Sequence, residues 1–220
     1  MTADRFFAER DFIALIHFWD KLRGTRALPE WHGDVTKVPR HLLENMVVVS
    51  YYPTPRYNYV GAACVARWDK DPTGMRVDDL LGGIYARYIH SLLDETIKRP
   101  ASVFSAAVFE LGEELLITGR LMVPFSLPGS TEAAVVVGLH FFKGSDIKLR
   151  ALSGNVFVEE VQRLMIVAAP EFCDRLEKAR LYQYAARSVS LTGPAGHLDS
   201  VARELAGDAI LPLPCYRDES

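Results

Sequence analysis

Apolar residues recur along this chain at two periods, and the switches between them divide it into elements. Over residues 9–23, Phe12, Ile13, Ile16, Trp19 and Leu22 stand three and four apart, with Glu9, Asp20, Lys21 and Arg23 largely opposite and Gly24 following. That spacing predicts an amphipathic helix with a glycine stop. Leu28 to Val35 is rich in turn formers, and Val38-Pro39-Arg40-His41-Leu42-Leu43 predicts a helix opened by proline, where the missing N–H costs nothing. Met46 to Tyr52 and Arg56 to Gly61, parted by Pro53 and Pro55, predict a hairpin. Ala62 to Trp68 fits one or two helical turns, and Asp71-Pro72-Thr73-Gly74 is a turn with a side-chain acceptor at its start. From Val77 to Lys98 the apolar positions return to helical spacing, with a break at Gly82-Gly83.

Three strands are predicted next: Ser102 to Leu111, Leu115 to Phe125 and Ala133 to Phe142, joined by turn residues at Gly112-Glu113 and Pro128-Gly129-Ser130. The last is apolar on both sides, Val135, Val137, Leu139 and Phe141 against Val136, Gly138 and Phe142. One face must cover the core, and the other needs the N-terminal helix or a second subunit. Beyond Gly144, Asn155 to Leu164 and Pro170 to Arg187 read as helices, Leu198 to Ala206 as a short helical run, and the end as a proline-rich tail. The expected organisation is a helical segment packing on the core over residues 1–45, the core over 46–143, and a C-terminal helical extension and tail over 144–220.

Composition narrows the class. A chain of 220 residues with 49% hydrophobic content can bury a sizeable core, and a formal net charge of −3 offers no global attraction to nucleic acid or an anionic membrane. Lys143, Lys148 and Arg150 beside Phe141 and Phe142 read as a solvated turn, and no nucleic-acid partner is expected. Cys64, Cys173 and Cys215 are too widely spaced for a disulfide framework or a CxxC metal site. A reducing cytoplasm is the expected setting. The N-terminus does not read as a secretory signal, and no apolar run is long enough to span a bilayer.

Particular residues add a resemblance. Phe18-Trp19 with Leu22-Arg23-Gly24, Leu28-Pro29, and Val38-Pro39-Arg40-His41-Leu42-Leu43 lead into the first strand. Arg56 with Tyr59-Val60-Gly61, Asp71 with Thr73-Gly74, and Leu121-Met122-Val123-Pro124-Phe125 before Gly138-Leu139 follow. In that order they resemble a PAS-like family of bacterial proteins catalogued as a domain of unknown function, over about residues 12 to 143. The chain departs from the family at Ala62, where a Thr is usual, and at Trp31-His32-Gly33. The resemblance implies an α+β fold: a five-stranded antiparallel sheet with helices on one face, often with an N-terminal helix used in dimerisation. It supplies no reaction.

In such a fold the pocket lies between the sheet's inner face and the long helix. Tyr57 and Tyr59 alternate with Arg56 and Asn58, so they are expected on one face, near Tyr85 and Tyr88 of the helix. Trp68 closes the pocket or caps the core, and Met122 belongs to the facing strand. His90 and His140 are the positions for a haem ligand of the kind some PAS domains use, against the reading of ordinary core histidines. The cofactor stays unknown. Cys64 precedes the turn that a flavin-reactive cysteine would follow, so it reads as a buried, unreactive thiol. Glu113-Glu114 and Glu159-Glu160 read as solvated neighbours. No nucleophile elbow, zinc-protease motif, P-loop or dinucleotide fingerprint is present.

The expectation is therefore a cytoplasmic PAS-like sensory module. It binds a small molecule through Tyr57, Tyr59, Trp68, Tyr85, Tyr88, His90, Met122 and His140 and signals through a protein partner or a homodimer rearrangement, with no catalytic residue. The alternatives are a ligand-free dimeric adaptor or scaffold and, behind it, an unrecognised enzyme.

Overall fold

The computed structural model describes residues 9–144 and 147–149, together with a strand at Phe157–Ile166 described by its backbone. Helix α1 (Glu9–Arg23) is followed by two short 3-10 turns, Val35–Lys37 and Arg40–Asn45. Strands β1 (Met46–Ser50) and β2 (Arg56–Val60) precede helices α2 (Ala62–Trp68), α3 (Val77–Leu80) and α4 (Gly83–Lys98). Then come β3 (Ser102–Leu111), β4 (Glu114–Ser126), β5 (Ala133–Gly144) and β6 (Phe157–Ile166). All the strands join one antiparallel sheet in the order β2-β1-β5-β4-β3-β6, so the fold is mixed α+β.

The five expected strands, β1 to β5, are all present in the sheet, and a sixth extends it, as β6 pairs with β3 from Ser102↔Ile166 to Glu110↔Phe157. This corrects the helix expected over Asn155 to Leu164. The other parts of the expected C-terminal extension, Pro170 to Arg187 and Leu198 to Ala206, lie outside the described residues.

Helices cover both faces: α2 and α4 lie on one, and the N-terminal helix lies on the other, which is one of the two covers expected for it. Alternation along the strands sends Phe104, Gly119, Leu121, Leu139 and Phe141 to one side and Ser105, Arg120, Met122, Gly138 and His140 to the other. Helix α1 lies on the first side. Phe12 meets Phe104 and Phe141 edge-on at 5.5 and 5.2 Å, and the Trp19 indole N–H donates to the Pro124 carbonyl at 2.6 Å. Phe12, Leu15, Ile16 and Trp19 are all buried, each stabilising the docked helix by about 1.5–3 kcal/mol. The apolar outer side of β5 is thus covered from within the chain.

Helix α4 lies on the second side and buries Tyr85, Tyr88, Ile89, Leu92, Leu93, Thr96 and Ile97 at spacings of one, three and four. The Thr96 hydroxyl, buried among them, bonds the Leu92 carbonyl at 2.8 Å. The break at Gly82-Gly83 appears as predicted, with Gly83 at φ +59°. Helix α2 packs on the same side, where the Arg67 guanidinium stands 5.4 Å from the Phe142 ring. The far edge of β2 is occupied: Tyr57 N–H donates to Met75 O at 3.0 Å, Gly74 N–H to Tyr57 O at 2.7 Å, and Val77 N–H to Pro55 O at 2.9 Å.

Candidate functional site

The side of the sheet under α4 contains an interior in which rings surround a single permanent charge. Arg120 sits at the middle of β4, between Ser105 of β3 and His140 of β5 in the strand register. It is fully buried. Its guanidinium donates to Thr118 Oγ1 at 2.5 Å and to the Tyr85 hydroxyl at 2.8 Å. It also stands 5.3 Å from the Tyr88 ring, 5.5 Å from the Tyr85 ring and 5.8 Å from the Phe109 ring. Those distances are within cation–π range.

The rings are fixed by one another. Tyr85 and Tyr88 lie edge-on to Phe109 at 5.2 and 5.7 Å, and the Tyr88 hydroxyl shares a hydrogen bond of 2.8 Å with Ser105 Oγ. Tyr57 packs edge-on to Trp68 at 4.9 Å. Burial raises the Tyr57 and Tyr85 hydroxyl pKa values, with the Arg120 charge opposing the rise at both, so each hydroxyl stays protonated at neutral pH. Burial, aided by the same positive charge, pushes His140 well below the usual imidazole range. His140 is therefore neutral at neutral pH.

Three buried side-chain nitrogens here have no hydrogen-bond partner among the described residues: Arg120 Nε, His140 Nδ1 and Trp68 Nε1. A buried polar atom without a partner costs about 1–3 kcal/mol, and more when it belongs to a charged group. Leaving several in one interior is costly enough to require a reason.

Of the residues named from sequence, Tyr57, Trp68, Tyr85, Tyr88, Met122 and His140 are buried on the α4 side. Tyr59 and His90 are not part of it. The register shift between Val48 and Val49 sets Tyr57 against Val49 but Tyr59 against Val48, whose side chains point to opposite faces. The expected shared face of Tyr57 and Tyr59 is lost to this bulge. The Tyr59 hydroxyl donates instead to the Leu43 carbonyl at 3.2 Å. His90 lies on the outer side of α4, with Nε2 2.6 Å from the Asp78 carboxylate. Cys64 is buried, and loss of solvent pushes its thiol up to about 12.

Arg120, Ser105 and Thr118 were not among the residues singled out from sequence. The signal was present in Leu115-Leu116-Ile117-Thr118-Gly119-Arg120-Leu121-Met122, an arginine inside an apolar strand. Long charged side chains are almost never fully buried without a paired partner.

Among the described residues no group of three or more His, Cys, Asp and Glu stands together as a metal site. No described helix is long and apolar enough to cross a membrane. No protein-family model, curated protein or solved structure matches the chain.

Proposed function

We propose that this chain is a PAS-like sensory or regulatory module that holds a small molecule between α4 and the sheet and passes the signal to a protein partner or a second copy. On this reading it acts in the cytoplasm. Support for the PAS-like reading is the element order over residues 46–144: two strands, three helices, then three strands. The single observation that carries ligand binding is the set of unpartnered buried nitrogens, Arg120 Nε, His140 Nδ1 and Trp68 Nε1, in an otherwise apolar and aromatic interior. An apolar pocket with a few convergent polar groups is the usual build of a small-molecule site. Signalling requires unequal ligand affinity for two packings of α4, since equal affinity shifts no equilibrium.

Native mass spectrometry with an absorption spectrum on freshly purified protein tests this reading. The expected result is a retained small molecule, lost on Tyr88→Leu and kept on Tyr59→Leu, because only Tyr88 lines the interior. A bare mass in the wild-type protein moves the weight to the second reading, a ligand-free dimeric adaptor. That reading is favoured by one observation: the Arg120 guanidinium is already bounded by three rings of its own chain.

A further inference from the structure

Arg120 has the surroundings of a cation from which the counter-charge is missing. The guanidinium is charged at every accessible pH, and it is fully buried. Its partners are the neutral hydroxyls of Thr118, Tyr85 and Tyr88 and three ring faces, and among the described residues it forms no ion pair with a carboxylate. The other groups left over are of the same kind. Trp68 Nε1 is a donor that can do nothing else, and it lacks an acceptor among the described residues. Tyr57, edge-on to Trp68, shares the α4 face of the sheet with Arg120, which puts that indole and the guanidinium on the same side of the sheet. The need is for an acceptor carrying negative charge.

Resting on the small-molecule reading above, we propose that the ligand is a monoanionic carboxylic acid with a planar apolar body, its carboxylate taken by Arg120. The planar fork of N–H groups matches a carboxylate in two parallel hydrogen bonds. The charge is set by arithmetic of the interior: Arg120 is the one permanently charged residue among the buried described residues, so a single negative charge is balanced and a phosphate dianion is not. The body is set by the rings that bound the guanidinium, Tyr85, Tyr88 and Phe109, a lining that an aromatic acid matches. His140 Nδ1, on a neutral imidazole, can serve either as donor or as acceptor to a polar substituent.

The test compares benzoate with benzamide, the same ring with and without charge, by calorimetric titration and thermal unfolding of the full chain. Benzoate is expected to bind one to one and raise the melting temperature, and benzamide to bind at least about tenfold more weakly, as loss of a charge-assisted bidentate pair requires. Arg120→Met is expected to bring benzoate down to the benzamide level. If that variant does not fold, Arg120→Lys keeps the charge without the fork, and it should bind benzoate several-fold more weakly than wild type. Equal binding of both probes, or benzoate binding indifferent to Arg120, would falsify the anion assignment while leaving a small-molecule site in place. A protein that binds neither probe and emerges bare in native mass spectrometry overturns both readings. A retained native ligand that proves neutral or cationic overturns this one alone.

Discussion

Replacing Gly61 by alanine tests how the strand-to-helix junction is built. Gly61 has φ −68° and ψ 154°, a conformation open to any residue, so its reason for being glycine is space. A Cβ there would meet the Leu43 carbonyl oxygen at 2.1 Å and the Glu44 carbonyl oxygen at 2.3 Å. Both are backbone atoms of the turn before β1 and cannot swing aside. Gly61 cannot retreat either, since its N–H donates to Met46 O at 2.8 Å and its carbonyl accepts the first α2 bond from Val65 at 3.0 Å. Relief needs roughly 1 Å of movement in close-packed surroundings. Overpacking of this kind costs about 1–3 kcal/mol. Weakening the two hydrogen bonds adds about 0.5–1.5 kcal/mol each.

The expected loss is therefore about 2–6 kcal/mol, a large part of the ~5–15 kcal/mol that holds a domain folded. For a chain of this size that lowers the melting temperature by roughly 4–24 °C. Urea denaturation reads it directly as a lower midpoint at unchanged slope. Gly74→Ala is the control, because Gly74 has φ +85° with nothing within 4 Å of its Cβ position. Only left-handed strain acts there, worth about 1–2 kcal/mol. If Gly61→Ala costs no more than Gly74→Ala, the close backbone approach is not what the junction depends on.

Two further outcomes follow from the buried titratable groups. His140 has its folded pKa depressed below 6.5, so the unfolded chain binds the proton that the folded one refuses, and stability is present above pH 6.5 and falls below it. Between pH 6.5 and 5 the loss should approach about 1.4 kcal/mol per pH unit, and His140→Phe should remove that slope; an unchanged slope excludes His140 as its source. Cys64, buried with its thiol raised to about 12, should resist disulfide reagents at pH 8 until the protein unfolds, measured in a Cys173→Ser, Cys215→Ser background. Labelling of the folded protein at the rate of a free thiol would contradict its burial.

Elements whose partners are near in sequence were legible, and those settled by distant partners were not. The helix at Glu9–Arg23, the break at Gly82-Gly83 and the strands around Gly112 follow from local periodicity and turn chemistry. The turn at Asp71 was legible too, and its carboxylate accepts the Thr73 N–H at 2.9 Å. Strand β6 was not, because Val158, Val161 and Leu164 are spaced three apart and imitate a helix. Its state is decided by β3, a strand far back in the chain with an open edge to fill. The bulge that separates Tyr59 from Tyr57 leaves no mark in an alternating sequence, so strict alternation puts both tyrosines on one face where the register puts them on two. His90 was drawn in by its helix, although its position beside Asp78 depends on where the turn before α4 brings that carboxylate. Arg120 was visible but carried no motif, and its significance comes from what surrounds it.

The backbone bonds that Gly74, Met75 and Val77 make along β2 give the sheet a closed end. A second copy of this chain is therefore refused at that edge: the main-chain groups of Pro55 and Tyr57 that an incoming strand would have to pair with are already taken.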